Sequence, residues 1–140
     1  MSKTNVEKNE RSKNGDKNFV LFFIYRTPKR NYQAIMDLNS RFRDEVKKLG
    51  GKGFEVFRLD NGNDMMDFVN IAKTVSATPD EDVWLEINSF RDQAHLKEVF
   101  SKMMADENMK GAIQQFLNLL TPGSRCSYGE FSRVSELNYV

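Results

Sequence analysis

The sequence predicts an α+β domain in which a four-stranded antiparallel sheet carries its helices on one face. Segments with strand and helix periodicity follow one another as β-α-β and then β-α-α-β. Two split β-α-β units of this kind form a ferredoxin-like βαββαβ fold with the strands in spatial order 4-1-3-2. The first strand is apolar on both faces, which places it inside the sheet and covered on both sides.

The segment Phe19–Arg26 is the clearest strand, because aromatic and β-branched residues fill its whole length. Thr27 and Pro28 end it, since proline has no N–H to donate to a strand ladder. A helix over Asn31–Leu49 follows and ends at Gly50. The apolar residues of this helix recur every three or four positions and form one stripe: Ile35, Leu38, Phe42, Val46 and Leu49.

A second strand is predicted over Gly53–Asp60. The next segment, Asp64–Pro79, contains apolar residues in no clear period, so either a short helix or an irregular covering segment fits it. We expect a long excursion before the third strand.

The third strand, Val83–Phe90, runs directly into a helix over Arg91–Ala105. The switch in period falls at Asn88-Ser89, with Asp92 as a negative charge in the first helical turn. A shorter helix over Met109–Leu120 and a last strand over Arg125–Val134 complete the prediction.

Residues 1–17 are predicted to form a disordered polar tail, and residues 18–140 a single domain. The tail has too few apolar residues to offset the entropy of ordering the chain. It reads as a solvated segment, with a weak nucleic-acid-binding arm as the alternative. The net charge is +1, from 21 basic and 20 acidic residues. That balance gives no bulk field favouring nucleic acid or an anionic membrane.

One cysteine, Cys126, and one histidine, His95, limit the possible chemistry. A lone cysteine forms no disulfide within the chain, as is typical of a reducing compartment, and no apolar run has the length of a membrane span. The sequence shows neither a signal peptide nor a metal-ligand pattern. We therefore expect a cytoplasmic protein without a metal or another cofactor, and with no membrane partner.

The doubly apolar first strand also predicts a partner. The chain has enough helices for one face of the sheet only, and the other face would expose a large apolar surface. The simplest cover is a second copy with the two sheets face to face about a two-fold axis. The sequence therefore predicts a homodimer.

Two segments carry a family resemblance: Lys102–Met109 (KMMADENM) and Tyr128–Phe131 (YGEF), with Arg125 before the latter. They resemble the YbaA-like family, a domain-of-unknown-function family of small prokaryotic proteins in the dimeric α/β-barrel superfamily. The resemblance extends over roughly residues 19–137 and departs from the family between Gly111 and Ser124. It implies a ferredoxin-like dimer and implies no activity.

Two residues are candidates for catalysis. His95 could act as an acid or base, because its reference pKa lies near neutrality. At the edge of its helix stripe, however, it fits a surface or hydrogen-bonded position equally. Glu86 lies mid-strand among apolar residues. It is either a carboxylate in a small-molecule pocket, or else the partner of Arg58 in an ion pair or part of a polar rim at the dimer seam, since a covered charge needs compensation.

Tyr25, Trp84 and Tyr128 are either core residues or the lining of a ligand pocket in the cleft between sheet and helices. The segment that begins Lys52-Gly53-Phe54 starts like an RNA-recognition signature but fails it from Glu55 onward, so we expect no nucleic-acid partner. Two hypotheses remain. One is a homodimeric protein that binds a small, partly apolar ligand in this cleft, or acts as an interaction module. The other, by fold analogy, is a cofactor-independent enzyme of the oxygenase, isomerase or decarboxylase type.

Overall fold

The computed structural model describes residues 17–134. Apart from Lys17, the predicted polar tail lies outside the described residues, and so do the last residues of the predicted domain, 135–140.

Four strands and four helices make up the described chain. In order they are β1 (Phe19–Pro28), α1 (Tyr32–Lys48), β2 (Gly53–Arg58), α2 (Ile71–Thr74), β3 (Glu81–Phe90), α3 (Gln93–Met104), α4 (Glu107–Leu119) and β4 (Ser127–Ser132). A 3-10 turn, Lys29–Asn31, leads into α1.

The four strands form one antiparallel sheet in the order β2-β3-β1-β4. Read from the other edge, this is the predicted order 4-1-3-2, so the ferredoxin-like prediction is confirmed. The register places Glu86 of β3 beside Phe23 of β1 on one side and Val56 of β2 on the other. Tyr128 of β4 pairs with Phe23 from the opposite edge.

Helices α1, α3 and α4 pack against one face of the sheet. Because strand residues alternate between faces, every second residue of β1 and β3 points toward these helices. The main core cluster contains buried side chains from both central strands and all three helices: Phe19, Leu21, Leu38, Phe42, Val46, Phe90, Leu96, Val99, Met103, Met109 and Ala112. The predicted helix stripes therefore do bury their apolar faces.

No helix within residues 17–134 covers the opposite face of the sheet. We call it the open face, and its apolar residues are Val20, Phe22, Ile24, Phe57, Leu85, Ile87 and Phe131. Phe57 and Phe131 are 47% and 54% exposed, although both are large apolar residues. Phe131 packs edge-on against Phe22, with 5.1 Å between ring centroids. This is the uncovered apolar surface that the first strand predicted.

Local sequence sets the ends of the helices. Gly50 ends α1 in the left-handed region, at φ +100°, where glycine is least strained. Helix α3 begins later than the period switch suggested. Asp92 is its N-cap, and the carboxylate accepts a hydrogen bond from the His95 N–H at 2.8 Å. Asp106 caps α4 in the same way and lets that helix start two residues earlier than predicted.

The connection between β2 and β3 contains both of the structures that the sequence left open. It forms an isolated bridge between Met65 and Phe68 and then the single helical turn α2. Asn70 organises it: its side-chain amide donates to the carbonyls of Asn61 and Asn63, and its oxygen caps α2. The connection is thus held by its own polar groups.

Candidate functional site

Strand β3 brings two polar side chains beneath the helices. Trp84, Glu86, Asn88 and Phe90 alternate along it on the helix-facing side, and each is at most 6% exposed. Glu86 and Asn88 stand at positions i and i+2, so both point the same way. A carboxyl and an amide are therefore buried side by side in an otherwise apolar layer.

A cavity of about 280 Å³ opens between this layer and the helices. Most of its lining is apolar, and Glu86, Asn88 and Cys126 supply the few polar groups. The lining residues are Phe23, Phe42, Val46, Phe54, Glu86, Asn88, Phe100, Met103, Met104, Ile113, Phe116, Leu117 and Cys126. A mostly apolar pocket with few polar groups is the usual form of a small-molecule site.

The carboxyl of Glu86 has one hydrogen-bond partner among the described residues. Asn88 donates from Nδ2 to Glu86 Oε2 at 3.0 Å. Burial raises the pKa of Glu86 to about 7, and the hydrogen bond from Asn88 opposes that rise. Near neutral pH the cavity therefore holds a carboxyl that exchanges readily between its neutral and charged forms.

The predicted pairing of Glu86 with Arg58 is not formed. Arg58 lies opposite Trp84 in the sheet register, whereas Val56 lies opposite Glu86. The Arg58 guanidinium instead sits over the ring of Tyr32, 5.2 Å from its centroid. Glu86 is left facing the cavity rather than neutralised by a cation.

Two other polar groups respond to the same environment. Burial, and then the nearby Glu86 carboxylate, raise the pKa of the Cys126 thiol to about 12, so it stays protonated and unreactive. Burial followed by Glu86 also raises the pKa of the Tyr25 hydroxyl. Tyr25 Oη accepts a hydrogen bond from Asn39 Nδ2 at 3.1 Å, in the core behind the cavity.

The three aromatic residues predicted for the pocket lie around the cavity rather than in its lining. Tyr25 is buried and packs edge-on against Phe116, with ring centroids 4.7 Å apart. Trp84 is enclosed in the core, and its Nε1 donates to Thr27 Oγ1 at 2.9 Å. Tyr128 is 71% exposed and lines an adjoining groove beside α3.

His95 is buried, so of the two expected positions, surface or hydrogen-bonded, it takes the hydrogen-bonded one. It lies in the first turn of α3, where its Nδ1 accepts a hydrogen bond from the Arg91 N–H at 3.2 Å. Its ring packs edge-on against Phe90 at 5.7 Å. The cavity lining includes Glu86 but not His95, so the structure does not bring the two catalytic candidates together.

Sequence reasoning missed most of the lining. Asn88, Cys126 and the five phenylalanines were not chosen as site residues, because phenylalanine at core positions carries no signal of its own. One signal was present: Glu86 and Asn88 are two polar residues on the same face of an apolar strand. That spacing could have identified Asn88.

Residues 17–134 contain no group of three or more His, Cys, Asp or Glu side chains placed to hold a metal ion. Within the same range, no helix combines the length and the apolar character needed to cross a membrane.

The fold and the cavity together define an α+β protein with a ferredoxin-like fold and a cleft between sheet and helices. The chain belongs to the family described as "Protein of unknown function (DUF1428)", whose model matches residues 18–118. The resemblance to a family of unknown function is thereby confirmed. The chain has no significant match among curated proteins.

Solved structures share the fold at low sequence identity. SnoaB, a cofactor-independent oxygenase from Streptomyces nogalater, aligns with a TM-score of 0.54 at 10% identity, over 87% of this chain and 99% of SnoaB. An antibiotic biosynthesis monooxygenase aligns with the same TM-score at 10% identity, over 84% of this chain and 99% of that one. At this identity the similarity shows the fold and carries no activity.

Proposed function

We propose that the protein binds a small, mainly apolar molecule in the cavity between sheet and helices, with one polar group of that molecule bonded to Glu86. The observation that carries this proposal is a buried carboxyl on the wall of an apolar cavity, whose one hydrogen-bond partner among residues 17–134 is Asn88. Burying such a group is costly unless its hydrogen bonds are made. A polar group on a bound molecule would supply the missing bond.

The lining favours a ring system as the apolar part of the ligand. Five phenylalanine rings surround the cavity: Phe23, Phe42, Phe54, Phe100 and Phe116. Met103 and Met104 add flexible side chains that adapt to irregular shapes. The volume of about 280 Å³ lies at the small end of the range for ligand pockets. A compact one- or two-ring molecule suits these dimensions.

Glu86 also determines which polar group of the ligand the cavity can bind. A hydroxyl can donate to the carboxylate and accept from the neutral acid, so it is bound in both protonation states. A carboxylate on the ligand would be repelled once Glu86 is charged. The proposed ligand class is therefore a small aromatic or alicyclic alcohol or phenol.

The experiment compares three probes that share one ring system: 1-naphthol, naphthalene and 1-naphthoate. Calorimetric titration of the wild-type protein should rank 1-naphthol first and 1-naphthoate last at pH 8. Glu86→Gln should reduce the advantage of 1-naphthol over naphthalene and the penalty on 1-naphthoate. Glu98→Gln, an exposed carboxyl on α3, is the matched control and should leave the ranking intact. Equal affinities of all three probes for the wild-type protein would contradict the proposal.

A second candidate function is a cofactor-independent enzyme, with Glu86 as the general base. The observation in its favour is the pKa of Glu86, about 7, since a base works best with a pKa near the working pH. SnoaB is a cofactor-independent oxygenase, and this proposal extends that property to the present chain. Conversion of a bound hydroxyl compound under air, lost in Glu86→Gln, would support it.

Two further proposals concern partners and location. We propose that two copies pair through their open faces, because several large apolar side chains there are otherwise exposed. We also propose a cytoplasmic location, consistent with the reduced thiol of Cys126. The near-zero net charge argues against nucleic acid as a partner.

A further inference from the structure

A second cavity, of about 640 Å³, lies at the end of the sheet where β2 ends and β3 begins. Its lining comes from three parts of the chain. Arg58, Asp82 and Val83 come from the strands, and Lys29 and Tyr32 from the entry to α1. The β2–β3 connection supplies the remaining side, including Gly62, Asn63, Ala72, Ala77 and Thr78. The first cavity has one ionisable carboxyl, whereas five charged side chains line this one: Lys29, Arg58, Asp60, Glu81 and Asp82.

Asp82 is the unusual residue of this second cavity. It is only 8% exposed, yet its carboxylate makes no hydrogen bond or ion pair with any other residue in the range 17–134. Its neighbour Glu81 shows the contrast, since it is bonded by Arg26, by Thr121 and by the Thr78 N–H. The carboxylate oxygens are open to the cavity rather than sealed in the core, and that open space is where a partner would fit.

Two cations line the same cavity. The Arg58 guanidinium lies over the ring of Tyr32, 5.2 Å from its centroid, and Tyr32 in turn packs on Trp84 with centroids 5.7 Å apart. In the described part of the chain neither Arg58 nor Lys29 is within 4.0 Å of a carboxylate. This cation–π contact holds the guanidinium at the cavity, and within residues 17–134 its N–H groups make no hydrogen bond, so they are available to an anion.

We propose that this second cavity binds a small zwitterion of the α-amino acid class. The ammonium group of the ligand pairs with Asp82, and its carboxylate pairs with Arg58 and Lys29. A simple anion would leave Asp82 without a partner, and a simple cation would leave both basic side chains without one. A ligand that carries both charges can bond to Asp82 and to the basic side chains at the same time. This site is separate from the cavity at Glu86, so a negative result at one site does not contradict the proposal for the other.

The test is an NMR titration of the full chain labelled with ¹⁵N. The probes are the zwitterions glycine, L-leucine and L-glutamine, with sodium acetate and methylammonium chloride as the two half-ligands. Sodium phosphate is added as a simple anion. At least one amino acid should shift the backbone amides of Gly62, Ala72 and Thr78 and bind at least about tenfold more tightly than either half-ligand.

Asp82→Asn removes the charge at nearly constant size and should weaken amino-acid binding by about tenfold or more. Asp44→Asn, an exposed carboxyl on α1, is the matched control and should not change it. Arg58→Gln provides an independent variant should Asp82→Asn fail to fold, and it should weaken binding as well. The proposal is overturned if no amino acid binds, or if acetate or phosphate binds as tightly and Asp82→Asn has no effect.

Discussion

Asn88 donates a hydrogen bond of 3.0 Å to Glu86 from two residues further along the same strand, and both side chains are buried under the helices. This pair is the polar centre of an apolar cavity. It gives Glu86 one fixed bond and leaves its remaining hydrogen-bonding capacity directed at whatever occupies the cavity. The chemistry proposed for the protein follows from this arrangement.

The first prediction concerns stability against pH. The pKa of Glu86 rises from 4.5 to about 7 on folding, so between these values the folded state binds more protons than the unfolded state. Stability therefore falls as pH rises through this window, by up to about 3 kcal/mol. Glu86→Gln has no carboxyl at this position, so its free energy of unfolding lacks this dependence on pH. Urea unfolding should show the variant gaining stability relative to wild type between pH 5 and pH 8.

Glu98→Gln serves as the control for this comparison, because Glu98 is exposed and paired only with Lys102 across one turn. The free energy of unfolding of Glu98→Gln should stay within about 0.5 kcal/mol of the wild-type value at both pH 5 and pH 8. If the free energies of unfolding of Glu86→Gln and wild type differed by the same amount at pH 5 and pH 8, Glu86 would not titrate as described.

The second prediction concerns Asn88. Its hydrogen bond lowers the pKa of Glu86 and so opposes the effect of burial. Asn88→Leu removes the donor at similar volume and should move the titration of Glu86 upward from about 7. Infrared difference spectra of the protonated carboxyl, corrected with Glu86→Gln, measure that midpoint. The exposed substitution Asn118→Leu should leave it in place, and a downward shift in Asn88→Leu would contradict the assignment.

The third prediction concerns Glu81, which joins β3 to two other parts of the chain. Its carboxylate accepts two hydrogen bonds from Arg26, at 2.9 and 2.8 Å, and further bonds from Thr121 and the Thr78 N–H. Burial raises its pKa, but the hydrogen bonds from Thr121, Thr78 and Arg26 outweigh burial and lower the pKa overall. Glu81→Gln should destabilise the protein by roughly 1–3 kcal/mol at neutral pH.

The sign of the pH dependence at Glu81 is opposite to that at Glu86. A lowered folded pKa contributes stability above the unfolded value of 4.5 and loses it as pH falls through the folded value. Denaturant unfolding at pH 7 and pH 3 should therefore show wild type and Glu81→Gln converging in acid. Equal stability of the two proteins already at pH 7 would show that the cluster contributes nothing.

The fourth prediction concerns the open face. Phe131→Glu places a charge on β4 at a side chain that contacts Phe22. If two sheets pack together there, this charge is buried without a partner, and the dimer should dissociate. Light scattering at micromolar protein should give the mass of a monomer for Phe131→Glu. Met66→Glu, at an 87% exposed position in the β2–β3 connection, should keep the dimer mass. A monomer mass for the wild-type protein would contradict the proposal that two copies pair through the open face.

The sequence was sufficient for the fold because strand alternation and helix stripes are local patterns with global consequences. A first strand apolar on both faces had to be central, and β1 does lie between β3 and β4. The excess of apolar residues over available helices likewise located the open face. Such patterns depend only on the spacing of apolar residues along the chain, and the amino-acid sequence shows that spacing directly.

The site was predictable only in part. Glu86 was identified by its charge in an apolar strand, but its neighbour on β2 depends on strand register. Val56 lies opposite Glu86, and Arg58 lies two residues further along β2. A register shifted by two residues would place Arg58 beside Glu86 and neutralise it. For His95 the sequence left a surface and a hydrogen-bonded position open, and the structure has the hydrogen-bonded one, in a buried place. Its burial comes from Phe90 and the turn at Arg91, which the helix stripe does not include.

The most direct measurement is a crystal structure of the protein soaked with 1-naphthol. The naphthalene ring should lie among Phe42, Phe54 and Phe116, with its oxygen about 2.7 Å from a carboxyl oxygen of Glu86. The same soak of Glu86→Gln should show the ring reoriented or at reduced occupancy. A ring bound on the open face, or a cavity that stays empty at saturating 1-naphthol, would contradict the proposal that this cleft is a ligand site.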